Sequence, residues 1–143
     1  MKNIRHVDIG KEISIDVKVS NSKQKFLRLT LLTFECARCK NIVYVPQDIY
    51  KKKVVKPFYC VCDEKKKGVF RLLENESEFV DFREIFVYNE NKENSIKVVL
   101  QNNLVNSVEK GDYANITGVL KAVPHNSHTV FDYVLEASMV RKI

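Results

Sequence analysis

The chain has 143 residues and a formal net charge of +6, with hydrophobic residues at 45% and charged residues at 29%. These values are typical of one globular domain, or of one domain with a small inserted module, and they exclude a disordered tail. No stretch approaches the ~18 apolar residues of a membrane span. The start, MKNIRHVDIG, lacks the apolar segment of a secretory signal. We therefore expect no membrane partner and a cell interior in which thiols stay reduced.

Most of the net charge lies in one segment, between Glu35 and Asn75. It carries ten Lys and Arg residues against five Asp and Glu residues, which gives +5 and leaves +1 for the rest of the chain. A basic patch of this kind fits a polyanion such as nucleic acid. It equally fits the solvated surface of a small module with little core, so charge alone leaves both interpretations open.

Alternation of apolar and polar residues predicts β-strands along most of the chain. It is clearest at 12–19, where Ile13, Ile15, Val17 and Val19 share one face. The predicted strands, in chain order, are 12–19, 24–34, 77–88 with its continuation 95–100, 112–123 and 129–140. Three shorter strands are predicted between them, at 41–45, 53–59 and 68–73.

One short helix is predicted after residue 100, because Leu and Val recur at near-helical spacing there. Asn102 or Asn103 can cap its start and Gly111 can end it. Gly118, inside the next strand, predicts a bulge of the kind that small barrels need at their corners.

Five strands with one short helix between the third and the fourth is the order of an OB-fold, a five-stranded Greek-key barrel. We therefore predict a mainly β chain. The barrel comprises 1–35 and 75–143, and a cysteine-bearing zinc-ribbon module, 36–74, is inserted into it.

The four cysteines form two close pairs, Cys36 and Cys39 in FECARCK and Cys60 and Cys62 in PFYCVCD. Zinc binds four thiolates in a tetrahedron, and the ligands usually arrive as two pairs from separate loops. The favoured interpretation is a structural Zn²⁺ site on all four sulfurs. A closed site of this kind supports folding and leaves no open position for catalysis.

The C-x-C spacing of the second pair raises alternatives. Cysteines two residues apart on an extended strand share a face but lie roughly 6.6 Å apart, so both sulfurs reach one metal only with a kink at Val61. Zinc held by three thiolates, with water or Asp63 in the fourth position, and plain buried cysteines both remain open. A thioredoxin-type redox pair is disfavoured, because no βαβ unit follows the C-x-x-C.

Beyond these patterns, the chain resembles the N-terminal region of minichromosome maintenance (MCM) replicative helicases over roughly residues 10 to 140. The resemblance rests on "FECARCK", on "SEFVDFREIFVY" and on the "LV…GD…TG" segment. The residues that match in order and spacing are Phe34, Cys36, Cys39, Phe70, Leu72, Ser77, Phe79, Asp81, Ile85, Leu100, Leu104, Val105, Gly111, Asp112, Thr117 and Gly118.

The resemblance implies a DNA-binding module, acting on single- and double-stranded DNA, that assembles into a homo-oligomer, a hexameric ring in the family. It places the protein in the cytoplasm or nucleoid, or in the nucleus of a eukaryote. Candidate DNA-binding residues are Lys23, Lys25, Arg28, Arg83, Lys121 and, at the tip of the hairpin between the last strands, His125 and His128.

The chain also departs from the family pattern. It has no phosphate loop of the form G-x-x-x-x-G-K-[ST], so we expect no enzymatic activity from this chain itself, which is either a fragment or a relative of an ATP-dependent helicase. Two other functions stay open: an oligomerisation module without DNA affinity, and a generic single-stranded-DNA binder.

Overall fold

The structure, a computed structural model, describes residues 4–50, 53–60, 62, 67–89, 95–125 and 129–143. The chain divides into two compact units, one of Met1–Phe26 with Asp81–Ile143 and one of Leu27–Val80. We call the first the barrel unit and the second the ribbon unit. The boundaries predicted from sequence, at 35/36 and 74/75, stay a prediction.

The described residues form eight β-strands and three 3₁₀ turns. The strands are β1 (Glu12–Ser22), β2 (Phe26–Cys36), β3 (Ile42–Pro46), β4 (Phe70–Leu72), β5 (Glu78–Tyr88), β6 (Ser95–Gln101), β7 (Tyr113–Pro124) and β8 (Phe131–Lys142). The chain is thus mainly β, as predicted, although no strand forms at the predicted 53–59 within its described residues.

The barrel unit closes because β1 pairs with two neighbours. It runs antiparallel to β7 on one side and to β5 on the other, and β5, β6, β8 and β7 complete the ring, with β6 and β8 parallel. This is the predicted five-stranded OB barrel. A register shift between Val19 and Asn21 bends β1 where it changes from one partner to the other.

The membership of the ring differs in one respect from the sequence-based expectation. We expected 24–34 to be the second barrel strand. The structure instead pairs β1 with β5, with Lys18 opposite Tyr88. The second strand of the barrel is therefore β5, and β2 to β4 lie between it and β1 in the sequence. Alternation alone does not state which strands pair, since a strand with one apolar face fits any position in a barrel.

One apolar core fills the barrel. It takes side chains from all five barrel strands, and Ile15, Ile85, Leu100, Ile116 and Leu135 are each at most 2% exposed. Each such side chain contributes about 1.5–3 kcal/mol by its removal from water. The inward face of β1 is the one that its alternation predicts.

Gly118 lies at a bulge in β7, as predicted, where the register with β8 shifts. A Cβ at this position would lie 2.2 Å from the backbone oxygen of Glu136. The two strands approach each other too closely here for any side chain, which is why a glycine is required.

The predicted helix is a 3₁₀ turn of five residues, Asn102–Asn106. Neither predicted end is correct. The N-cap is Gln101, which makes no side-chain cap bond, and the C-cap is Ser107 and not a residue next to Gly111. Asn102 lies in the left-handed region at φ 55°. That conformation turns the chain sharply out of β6, and a single turn then suffices to bury Val105.

The buried side chain of Arg83, on β5, links this turn to the barrel strands by hydrogen bonds. Its side chain is 8% exposed. It donates from Nε to the Lys23 carbonyl at 3.0 Å, from Nη1 to the Val105 carbonyl at 2.9 Å and from Nη2 to Ser22 Oγ at 3.0 Å. Both Nη groups also contact the Glu109 carboxylate, at 3.2 and 2.9 Å. One guanidinium thereby joins three segments of the barrel unit.

We expect Arg83→Met to lower the free energy of unfolding by about 2–4 kcal/mol, because three backbone carbonyls, those of Lys23, Val105 and Val108, and the Ser22 hydroxyl lose their buried donor. Urea unfolding measures this. The matched control is Lys121→Met, which removes an exposed ion pair with Glu136 at 3.0 Å and is expected to cost less than about 1 kcal/mol. Equal effects of the two substitutions would contradict the assigned role of Arg83.

The same contact predicts a pH dependence. Hydrogen bonds from Arg83, and then its charge, hold the pKa of Glu109 below its ordinary 4.5. A carboxyl whose folded pKa is lowered stabilises the fold above the unfolded value and loses that contribution as the pH falls through the folded one. Thermal unfolding from pH 7 to 3 should therefore show a Tm gap between the wild type and Glu109→Gln that narrows below about pH 4.5. In an Arg83→Met background the gap should shrink to the smaller contribution of the Lys25 charge, which also lowers the pKa of Glu109. A gap of unchanged size there would mean that Arg83 does not cause it.

Candidate metal centre and nucleic-acid interface

The first cysteine pair lies in a tight turn at the end of β2. The amide of Lys40 donates to the Cys36 carbonyl at 2.9 Å, and the Cys36 amide donates to the Asn41 carbonyl at 2.9 Å. Lys40 adopts a left-handed conformation, φ 65°, which turns the chain back into β3. The turn directs the sulfurs of Cys36 and Cys39 to one side, as a zinc knuckle requires.

The four cysteine sulfurs come together in the ribbon unit, all within 4.8 Å of one another. Cys36 Sγ lies 3.8 Å from Cys62 Sγ, and Cys39 Sγ lies 3.5 Å from Cys60 Sγ. Sulfurs at the corners of a tetrahedron of Zn–S bonds of ~2.3 Å are ~3.8 Å apart. The cluster therefore has the dimensions of a four-thiolate metal site.

The C-x-C pair contributes both of its sulfurs to this cluster. Cys60 is buried at 3% and Cys62 is exposed. The kink expected at Val61 lies outside the described residues, as does Asp63, the alternative fourth ligand. All four cysteines are free of disulfides.

The pKa values of the cysteine thiols differ. The backbone of Cys39 hydrogen-bonds to the Cys36 sulfur and lowers the pKa of that thiol from 9.0 to about 6. Desolvation, and then hydrogen bonding with Cys60, raises the pKa of Cys62 to about 12. Thiolates this close repel one another, and a divalent cation at their centre removes that repulsion. The donor set is soft and fits zinc.

In the barrel unit, two predicted DNA-binding residues, Lys23 and Lys25, lie in the loop between β1 and β2 and are exposed. The ammonium of Lys25 contacts the Asn106 side-chain oxygen. Lys23 Nζ lies 3.9 Å from Glu84 and 5.5 Å from the Phe86 ring centroid. Both cations are exposed and therefore accessible.

The other candidates differ in accessibility. The Arg83 guanidinium is buried and fully used within the fold. Arg28, in the ribbon unit, donates to the Ile49 carbonyl, at 2.8 Å from Nε. In the barrel unit, Lys121 pairs with Glu136, and His125 Nδ1 lies 2.6 Å from Asp132 Oδ2. His128 lies outside the described residues.

Sequence reasoning missed one cation, Lys97 on β6. Phe86 and Lys97 are direct partners across β5 and β6, and Lys97 Nζ lies 5.9 Å from the ring centroid. Phe86 therefore has two lysines close to its ring, Lys23 and Lys97. Glu84 lies between the two ammonium groups, 3.1 Å from that of Lys97. Alternation with the buried Ile96 and Val98 could have marked Lys97 as facing outward.

β5 and β6 are the second and third strands of the barrel. OB-folds bind oligonucleotides on the face of these two strands. Cations beside an aromatic ring are the arrangement that such sites use, with phosphates near the cations and bases on the ring. We call Lys23, Lys25, Phe86 and Lys97 the β5–β6 face.

In the described part of the chain, no helix is long and apolar enough to cross a membrane.

Comparisons with known proteins agree with this geometry. Residues 1–124 match the MCM OB domain family. The chain is 27% identical to the minichromosome maintenance protein MCM of Saccharolobus solfataricus, over 98% of the chain and 22% of that protein. It is 30% identical to the zygotic DNA replication licensing factor mcm6-B of Xenopus laevis, over 81% of the chain and 15% of that protein.

Among solved structures, the crystal structure of the N-terminal domain of an archaeal MCM superimposes with a TM-score of 0.82 at 26% identity, covering 98% of this chain and 59% of that one. The chain spans about a fifth or less of the length of the curated relatives. The barrel, the cysteine cluster and the match over residues 1–124 lead to one conclusion: the chain belongs to the MCM OB domain family.

Proposed function

We propose that this chain is the DNA-binding and ring-assembly N-terminal module of an MCM-type replicative helicase, with a structural zinc and no catalytic step of its own. The observation that carries the proposal is the β5–β6 face, where the ammonium groups of Lys23 and Lys97 lie 5.5 and 5.9 Å from the Phe86 ring centroid, beside the ligand-binding strands of an OB barrel. Family membership supports it, since the relatives include a DNA replication licensing factor.

Zinc would be held by the sulfurs of Cys36, Cys39, Cys60 and Cys62, and its role there is structural. The ribbon unit needs such support because its apolar core is small. Among its described residues, the buried apolar ones are only Leu32, Phe34 and the cysteines Cys36 and Cys60. Structural zinc in small modules supplies about 10–16 kcal/mol of apparent binding free energy at neutral pH, enough to replace a missing core.

DNA binding would combine two physical contributions. Lys23, Lys25 and Lys97 attract phosphates, which gives affinity without sequence preference. The Phe86 ring offers a stacking surface to a base, worth about 1–3 kcal/mol in comparable sites. Glu84 opposes phosphate binding, because it already neutralises two of the ammonium groups.

The positive charge of the ribbon unit affects how two rings would associate. Its sequence has eleven Lys and Arg residues and seven Asp and Glu residues, a net +4. Two ribbons in direct contact would repel each other, so we expect rings to associate weakly through this unit unless DNA lies between them. Of the lysine runs that motivate this hypothesis, Lys51, Lys52, Lys65 and Lys66 lie outside the described residues.

Two alternatives come from other functional classes. A pure assembly module would form oligomers without DNA affinity, and a generic single-strand binder would bind DNA as a monomer. Mass measurement in solution, with and without DNA, separates all three. The proposed localisation follows the ligand: nucleoid or cytoplasm, or the nucleus in a eukaryote.

Removal of zinc should unfold the ribbon unit and leave the barrel folded, because the barrel has its own core. Segment-resolved hydrogen exchange before and after treatment with a strong chelator measures this. We expect one zinc per chain and loss of protection confined to about residues 30–75. Uniform protection in the chelated protein would show that the cysteine cluster does not hold the ribbon together.

A cobalt substitution tests the ligand set. The absorption of bound Co²⁺ depends on the number of thiolate ligands, so Cys62→Ser should change the spectrum if four thiolates bind the metal. An unchanged spectrum would mean a three-thiolate site.

Binding to a short oligo-dT should weaken steeply with salt, as phosphate contacts require. We expect Lys25→Gln and Lys97→Gln each to reduce affinity about three- to tenfold at low salt and to lower the slope of log K against log salt by about 0.7. Lys11→Gln, an exposed lysine at the start of β1, is the matched control and should change neither.

Glu84→Gln should act in the opposite direction and strengthen binding, because it frees Lys23 and Lys97. If Lys25→Gln, Lys97→Gln and Glu84→Gln all bind like the wild type, DNA does not use the β5–β6 face. If neither the wild type nor any variant binds at any salt, the DNA-binding part of the proposal is wrong, and oligomers in the mass measurement would then favour the assembly-only alternative.

A further inference from the structure

The ribbon unit contains an apolar cleft that neither DNA binding nor zinc explains. Its volume is about 880 Å³, and eight of its thirteen lining residues are apolar. We call it the ribbon cleft. The lining residues that matter most to the argument are Leu29, Leu32, Val54, Phe70, Leu72 and Phe79.

Several of these side chains are exposed to an extent that is unusual for their type. Phe79 is 53% exposed, Val54 51% and Leu72 41%. Apolar patches that line a concave surface, unlike isolated apolar side chains, mark interaction sites in soluble proteins. Burying them against a ligand would remove apolar surface from water, which favours binding.

The floor of the cleft is held in place by the sheet. Phe34 on β2 pairs with Leu72 on β4, and the Phe34 ring meets the Phe70 ring edge-on, 6.4 Å between centroids. The Leu73 amide donates to the Thr33 carbonyl at 2.8 Å. A site formed in this way is present before its ligand arrives, which lowers the entropic cost of binding.

The charge around the cleft selects among ligands. Lys56 and Lys67 line it, and Glu74 is the one acid among the lining residues that the structure describes. The unit as a whole has a net charge of +4. A second copy of this cationic unit would be repelled. A nucleic acid strand would leave most of the apolar lining without an apolar partner.

We propose that the ribbon cleft docks a short segment of a partner protein in which apolar residues are flanked by acidic ones. The apolar side chains fill the cleft, and the flanking carboxylates meet Lys56 and Lys67. This gives the module a protein-binding site separate from the β5–β6 face, so one chain can hold DNA and a partner protein at the same time.

Two fluorescein-labelled peptides test the proposal. Both contain the same Leu- and Phe-rich core, and the flanks are Asp and Glu in one and Lys and Arg in the other. The zinc-loaded full chain should bind the acidic peptide at least about tenfold more tightly than the basic one. Fluorescence anisotropy gives the affinities, and amide chemical shifts should change at 29–34 and 70–79.

Substitutions in the cleft give the second arm. Phe79→Ser should weaken acidic-peptide binding about tenfold, and the double substitution Lys56→Gln with Lys67→Gln should weaken it about fivefold and reduce its salt dependence. Phe131→Ser and Lys11→Gln, which change exposed residues of the barrel unit, are the matched controls. Oligo-dT affinity should stay unchanged in Phe79→Ser, which separates this proposal from DNA binding.

Three results would overturn the proposal. The first is equal binding of the two peptides, and the second is binding that Phe79→Ser does not affect. The third is no peptide binding while dodecanoate binds, because the cleft would then be a site for a small amphiphile instead.

Discussion

The double pairing of β1 is the constraint on which the barrel depends. One strand joins β7 on one edge and β5 on the other, and a bulge between Val19 and Asn21 allows it to serve both. Closure leaves the ring without a free edge and encloses one apolar core. It also brings the outer faces of β5 and β6 side by side, which places Phe86 opposite Lys97.

The ribbon unit depends on a different interaction, the convergence of four sulfurs. It has few buried apolar side chains, and its longest pairings are those of β2 with β3 and β4. A metal at the cysteine cluster would fix the turns from which these strands start. The unit is then stable enough to present a basic surface and an apolar cleft to other molecules, while the barrel keeps a stability of its own.

Much of this follows from the sequence. Alternation locates β1, β2 and β5 to β8, and the cysteine spacing predicts the cluster. Arg83 is the instructive case: we proposed it as a DNA contact, although it shares its parity with Ile85 and Val87 and so belongs to the inward face. Only the structure shows the acceptors, Lys23, Val105 and Glu109, that make a buried guanidinium possible. The pairing of β1 with β5 was also beyond prediction, because it joins residues about 70 positions apart and alternation does not encode partners.

The central claim is that this module binds single-stranded DNA on the β5–β6 face. An NMR titration of the ¹⁵N-labelled, zinc-loaded chain with oligo-dT tests it most directly. The account predicts that the largest amide shift changes lie at residues 23–25, 84–88 and 95–99. Shift changes confined to the ribbon unit, or none at saturating oligonucleotide, would contradict it.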